Sequence, residues 1–506
     1  VNNRIRQKAV LNLQERLTRG AGILLPISSL PSPYGIGTLG ADAHDFVNYL
    51  KLAGQTYWQV LPLGPTSYGD SPYQSFSAFA GNPYFIDLDL LRQQGLLRQD
   101  ELKHMEEPVD AAFVDYRALY LTRLPLLRRA YGRFRPDVES YSSFCRENHF
   151  WLEDYALFMA LKEENDGREW LRWEEPLRQR RETALNAARS RLAADIDFWK
   201  FCQYQFYCQW RSLRHYAASQ GIRLIGDMPL YVAQDSADVW AHPDLFQLDE
   251  TGYPVRVAGV PPDLFSASGQ RWGNPLYDWK RLEESGFAWW RRRMEMNAAR
   301  FDITRIDHFI GIARYYAIPA SCETAVKGRW VKGPGKKLTD VLDEAAGSSR
   351  ILAEDLGVLH PTVKRLLERC GYPGMKVLLF AFDNGADNDH LPHRYQQNQA
   401  VYGGTHDNET IAGYCARCTD AELRFLMDYL GAQQRRDIPQ AMIRAAYASV
   451  ADLAIFQAQD LLELDNTTRM NEPSTTGGNW RWRLLPGQLT AELAQRLRTL
   501  AALFEQ

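Results

Sequence analysis

The chain has 506 residues, of which 45% are hydrophobic and 24% charged, and a formal net charge of -3. That balance belongs to a globular protein with a core of ample size. It speaks against nucleic acid or an anionic membrane as a bulk partner, since both select a strongly basic face.

Short apolar runs that end in polar residues recur along the chain, the pattern of parallel strands buried on both faces. Eight are expected as strands: Gly22–Ser28, Tyr57–Gly64, Ile222–Val232, Phe301–Ile310, Ile351–Leu356, Met375–Phe382, Ala400–Asp407 and Leu453–Leu462. Eight strands separated by helix-length segments predict an α/β protein, a (β/α)8 TIM barrel. The longest gaps follow strands two and three, so large helical and loop insertions are expected there, on the side where barrel enzymes build their sites.

Residues 1–65 would start the barrel. Residues 66–220 would form a loop and a mainly helical inserted subdomain, and 221–506 the rest of the barrel, with a substrate-binding loop insertion at about 233–290. In the first insertion, Phe198, Cys202, Phe206, Trp210 and Leu213 recur at helical spacing and predict one apolar helix face.

Strand ends are where barrel chemistry sits. Asp227 ends strand three, Arg305, Asp307 and His308 end strand four, Glu354 and Asp355 end strand five, and His406 and Asp407 end strand seven. Carboxylates crowded at one mouth raise each other's pKa, a penalty typical of function. Arg305 and Asp307 are two apart and share a strand face, so the arginine would orient an ionised nucleophile. Glu354 follows an apolar Ile-Leu-Ala run, which suits a general acid with a raised pKa. Two carboxyls pushed apart in pKa are the signature of glycoside cleavage.

Rival readings are weaker. Arg305–Asp307 alone could be a structural ion pair. His308, His406, Asp227 and Asp407 are metal-ligand types, but strand one carries no His-x-His and the helices no HExxH, so no metal and no cofactor are expected. The YGIGTLG segment (Tyr34–Gly40) contains GxGxxG without a βαβ context or a ribose-binding acid. Loop aromatics, among them Tyr68, Tyr73, Phe76, Phe79 and Tyr84, offer faces for sugar rings.

Seven cysteines include one CxxC, Cys415 and Cys418, with no second pair for zinc, so reduced thiols are expected. The first twenty residues have no apolar h-region and no stretch approaches membrane-span length. A cytoplasmic location is expected, or a plastid one if a transit peptide has been removed.

At these residues the sequence resembles the 4-α-glucanotransferase family, known as amylomaltase in bacteria and disproportionating enzyme in plants. The segments are SSLPSPYGIGTLG (Ser28–Gly40), GDSPYQSFSAFAGNPYFIDL (Gly69–Leu88), GDMPLYVAQDSADVWAHPDLF (Gly226–Phe246), RIDHF (Arg305–Phe309), AEDLG (Ala353–Gly357), GTHDN (Gly404–Asn408) and GGNWRWR (Gly477–Arg483). The resemblance implies a retaining double displacement with Asp307 as nucleophile, Glu354 as acid and base, and Asp407 stabilising the transition state. It implies that Arg305, His406 and Asp227 hold the nucleophile and glycone, and that Asp263, Gln270, Trp272 and Asn274 line the site. Ser71, Tyr73, Tyr68 and Phe265 are further binding candidates. The implied donor is an α-1,4-glucan and the acceptor glucose or a maltooligosaccharide. Two departures concern the acceptor side: Leu264 precedes Phe265 where the family usually has Tyr, and Arg271 precedes Trp272 where an apolar residue is common. The alternatives are an α-1,4-glucan hydrolase on the same barrel and a non-catalytic glucan-binding protein.

Overall fold

The computed structural model describes residues 17–506 except 68, 104–109, 136, 263–265, 348–349, 358, 383–384 and 476. Its strands are β1 (Gly20–Leu24), β2 (Tyr57–Gln59), β3 (Arg223–Met228), β4 (Arg256–Val260), β5 (Gln270–Pro275), β6 (Ile303–Ile306), β7 (Arg314–Pro319), β8 (Arg329–Lys332), β9 (Arg350–Ala353), β10 (Gly374–Val377), β11 (Gln399–Tyr402) and β12 (Leu453–Gln457).

Eight of these form one parallel sheet in the order β10-β11-β12-β1-β2-β3-β6-β9. The amide of Ala353, at the end of β9, donates to Pro373 O just before β10 at 3.0 Å, which draws the two edges together. The fold is a (β/α)8 barrel with helical insertions, as the apolar runs predict. All eight strands are found, but several are shorter than those runs. Leu25 and Val60 each donate one more ladder bond, to Gln59 O and Ile225 O, before Pro26 and Pro62 arrive with no N–H to give. Pro229 ends β3 at Met228 in the same way.

Four antiparallel strands, in the order β5-β4-β7-β8, make a second sheet that the sequence reading missed. Its segments are rich in Gly, Arg and Pro and read as loops. They become strands because β4 pairs with β7 from beyond β6, a partner no local pattern reveals. The 233–290 segment therefore contributes a hairpin, and this sheet roofs one side of the barrel mouth.

Between β2 and β3 lie several helices, the longest being Tyr116–Arg133 and Ala193–Ser219. Phe198, Cys202, Phe206, Trp210 and Leu213 are all buried on the second of these. Gln203 and Gln209 on it accept from the amides of Gly81 and Asp87 at 2.7 Å, so this helix fixes the loop that runs to the barrel mouth. In YGIGTLG, Gly37 packs where a Cβ would lie 1.7 Å from Ile27 O. Close backbone packing accounts for that glycine. Among the described residues, no helix is long and apolar enough to cross a membrane.

Candidate active site

The floor of the mouth is a continuous hydrogen-bonded row. Arg305, on β6, is 5% exposed at its side chain and places Nη1 2.7 and 2.8 Å from the two Asp227 oxygens on β3. The same nitrogen reaches Asp307 Oδ1 at 3.1 Å. Tyr73 donates its hydroxyl to Asp227 Oδ2 at 2.6 Å. The Tyr73 ring stacks on His406, with centroids 4.9 Å apart, and Tyr73 Oη lies 3.4 Å from His406 Nδ1. His406 Nε2 is 3.4 Å from Asp407 Oδ2, and Asn471 Nδ2 donates to Asp407 Oδ1 at 2.6 Å. The row thus runs from Asp307 through Arg305, Asp227, Tyr73 and His406 to Asp407. It joins the ends of three barrel strands and one inserted loop.

The charges along it are self-consistent. Burial pulls the His406 ring's pKa down, but the Asp407 carboxylate beside it pulls harder and leaves it above the ordinary value. The ring faces Asp407 with Nε2 and Tyr73 Oη with Nδ1, while Tyr73 donates onward to Asp227. Burial would raise Asp407, yet His406 and Asn471 hold it down at about 2. Burial disfavours the charge on Arg305, and Asp227 and Asp307 restore it, so its pKa lies above an already high value.

Asp307 and Glu354 stand apart from Asp407. Burial raises Asp307 to about 6, with Arg305 opposing, although its carboxylate keeps 28% exposure toward the mouth. Arg305 is expected from sequence to keep this group ionised; in the structure burial outweighs it. Burial raises Glu354 further, to about 7, with Arg305 opposing and Asp307 adding to the rise. Glu354 is 9% exposed. Its Oε2 accepts from the amide of His308 at 2.8 Å and its Oε1 from Leu356 at 2.7 Å. Because His308 follows Asp307 directly, the first bond fixes the two carboxyls side by side. His308 adopts φ 49°, a strained value for a residue with a side chain. The two titrations are linked, so the apparent values belong to the pair, with burial raising Glu354 above Asp307.

The roof carries Gln270, Trp272 and Asn274 on β5. Trp272 meets the His308 ring edge-on at 4.8 Å and donates its Nε1 to Gln270 Oε1 at 3.0 Å. Asn274 is buried, with its amide donating to Val232 O at 2.9 Å and its carbonyl accepting from Gln74 at 3.0 Å. Those bonds tie the roof to the loop bearing Tyr73 and occupy the Asn274 amide. Ser71 Oγ accepts from Tyr73 N at 3.3 Å and so shapes that loop. Tyr68, Asp263, Leu264 and Phe265 lie outside the described residues. Arg271 turns away to donate to Ala320 O at 3.2 Å.

Some expectations need correction. Asp355 does not join the mouth; its Oδ1 accepts from Met375 N at 2.7 Å and ties β9 to β10. Phe76 packs on Phe158, and Phe79 on Phe150, Trp151 and Trp289, so both anchor the helical insertion. Of the loop aromatics singled out, Tyr73 is the described one built into the row. The sequence reading also missed Asn471 on Asp407, and Trp480, whose ring lies 5.7 Å from both Tyr73 and His406. Both sit on the irregular segment after β12, where no periodicity marks them; the GGNWRWR run was the available signal for Trp480. Among the described residues no cluster of three or more His, Cys, Asp or Glu could hold a metal ion.

The sequence profile of a family described as 4-alpha-glucanotransferase matches residues 25–489. A 4-alpha-glucanotransferase of Thermus thermophilus is 50% identical over 97% of this chain and 99% of its own. One from Streptococcus pneumoniae serotype 4 is 46% identical over 96% and 97%. The solved structure of an amylomaltase from Streptococcus agalactiae, in complex with acarbose, superposes with a TM-score of 0.94 at 39% identity, covering 96% of this chain and 99% of that one.

Proposed function

The chain belongs to the 4-alpha-glucanotransferase family, and we propose that it transfers α-1,4-glucan segments by a retaining double displacement on Asp307, Glu354 and Asp407. The observation that carries the assignment is the bond from His308 N to Glu354. It places Glu354, which burial raises to about 7, next to Asp307.

In the first step an Asp307 oxygen attacks the anomeric carbon. The bond to the departing glucan breaks, and Glu354 gives its proton to the departing oxygen. In the second step the 4-hydroxyl of glucose or of a maltooligosaccharide loses its proton to Glu354 and attacks the same carbon, freeing Asp307. Asp407, held ionised, stabilises the positive charge that develops on the ring and binds its hydroxyls. Arg305, anchored by Asp227, orients the nucleophile; Tyr73 and His406 pass that rigidity to Asp407. Trp272 supplies an apolar face on the acceptor side.

On this reading residues 66–220 and the hairpin insertion wall a glucan channel over the barrel. The Tyr73–Asp227 and Gln74–Asn274 bonds support it, as does acarbose in the Streptococcus agalactiae relative. A reducing compartment, the cytoplasm, suits seven cysteines that form no disulfide. Incubation with maltotriose tests the proposal: longer oligomers together with glucose are expected. Reducing ends that rise without longer products would mean that water is the acceptor.

A further inference from the structure

Beyond the catalytic mouth, a cleft of about 640 Å³ opens between the β7–β8 hairpin and two helices, Lys336–Ala346 and Pro361–Cys370. Five of its lining residues are cationic, Arg314, Lys332, Lys336, Arg365 and Arg369, and none is acidic. Lys336 pairs with Asp340. The other four have no acidic partner among the described residues.

The arrangement is costly for the protein alone. Arg314 and Lys332 stand directly opposite each other in the antiparallel β7–β8 ladder, where like charges destabilise. Arg365 and Arg369 are four residues apart on one helix, where like charges also repel. In a chain of net charge -3, two unfavourable pairs meet over one concavity. A neutral α-glucan gives nothing in return, whereas an anionic ligand offsets both repulsions. The lining also includes Lys336 and Thr362, in the first turns of the two helices, whose ends favour negative charge. Trp330 lies in the same lining, 39% exposed, with the Arg314 guanidinium 4.2 Å from its ring centroid. A half-open indole beside a cationic patch suits a sugar ring that carries an anion.

We propose that this cleft binds a phosphate monoester of a glucose unit, either as a free sugar phosphate or as a phosphorylated residue of a glucan. The site is separate from the carboxylate row and neutral in its demands on the transfer reaction.

Titrating the full chain with glucose 6-phosphate, inorganic phosphate and glucose tests this. Glucose 6-phosphate should bind in a salt-sensitive manner. The double variant Arg365→Gln/Arg369→Gln should weaken it by about tenfold, and Lys332→Gln, on the opposite wall, should weaken it independently. Trp330→Ala should weaken glucose 6-phosphate more than inorganic phosphate. Maltotriose disproportionation should be unchanged in the arginine variant, so failure here is distinguishable from failure of the catalytic assignment. A phosphorylated maltodextrin that binds more tightly than glucose 6-phosphate assigns the chain-borne ester; equal binding assigns the free one. Affinity for glucose 6-phosphate that is absent, or the same in both wall variants as in the natural chain, overturns the proposal, as does inorganic phosphate binding as tightly as the ester.

Discussion

The floor and the roof of the mouth are held in different ways. On the floor each ionisable group is clamped by another: Asp227 by Arg305 and Tyr73, Asp407 by His406 and Asn471, Glu354 by two backbone amides. On the roof Trp272 is half-buried, has one side-chain hydrogen bond, to Gln270 on its own strand, and otherwise meets its surroundings through ring contacts with His308 and Tyr231. A rigid floor and a looser roof suit an enzyme that must hold one sugar in a fixed geometry yet accept many incoming chains.

The largest expected effect breaks the floor. Asp307→Asn removes the proposed nucleophile and should lower kcat by roughly 10⁴-fold, while glucan binding persists. Glu354→Gln should cost about 10²- to 10⁴-fold and abolish the alkaline fall of kcat/KM. In the natural chain that fall follows from the sign of the shift: Glu354, raised to about 7, loses the needed proton as pH rises past that value. The acid limb should reflect Asp307, raised to about 6 and protonated below it. A glucan donor with a good leaving group needs less protonation, so Glu354→Gln should recover part of its first-step rate with such a donor. Full activity in Asp307→Asn, or an unaltered pH profile in Glu354→Gln, would refute the roles assigned.

The floor was also the part most legible in sequence. Asp227, Arg305, Glu354, His406 and Asp407 sit on or just after barrel strands, and a strand's direction alone aims them at the mouth. Asp355 shows the limit of that logic, because alternation along the chain turns it toward β10 instead. The β4–β5–β7–β8 sheet was invisible for a different reason: its strands are stabilised by pairing across β6, not by local pattern. Asn471 and Trp480 were missed because irregular segments carry no period to read.

A smaller effect separates the roof from the floor. Trp272→Ala should raise the KM for acceptor sugars by about tenfold and raise the ratio of hydrolysis to transfer, with donor-side glucosyl-enzyme formation little changed. The readout is the partition of product between water and an added acceptor. Equal loss in both half-reactions would place Trp272 with the floor instead.

The smallest effect concerns Asp460, which burial raises to about 7 just as it does Glu354. The pKa alone does not distinguish them; the surroundings do. Asp460 Oδ1 accepts from Ile411 N at 2.8 Å, at the start of the helix that follows the His406–Asp407 loop, and among the described residues no carboxyl or cation shifts its pKa. It is therefore a helix anchor. Asp460→Asn should leave maltotriose turnover within about twofold, since the amide oxygen can still accept from Ile411. Its folded-state pKa is raised, so its contribution to stability is present below about pH 4 and lost as pH climbs through about 7. The Tm of Asp460→Asn, measured against the natural chain, should accordingly gain by a few °C between pH 4 and pH 8 and then level off. A Tm difference that does not vary with pH would mean that Asp460 stays ionised throughout. A large loss of turnover would mean that the mouth extends to β12.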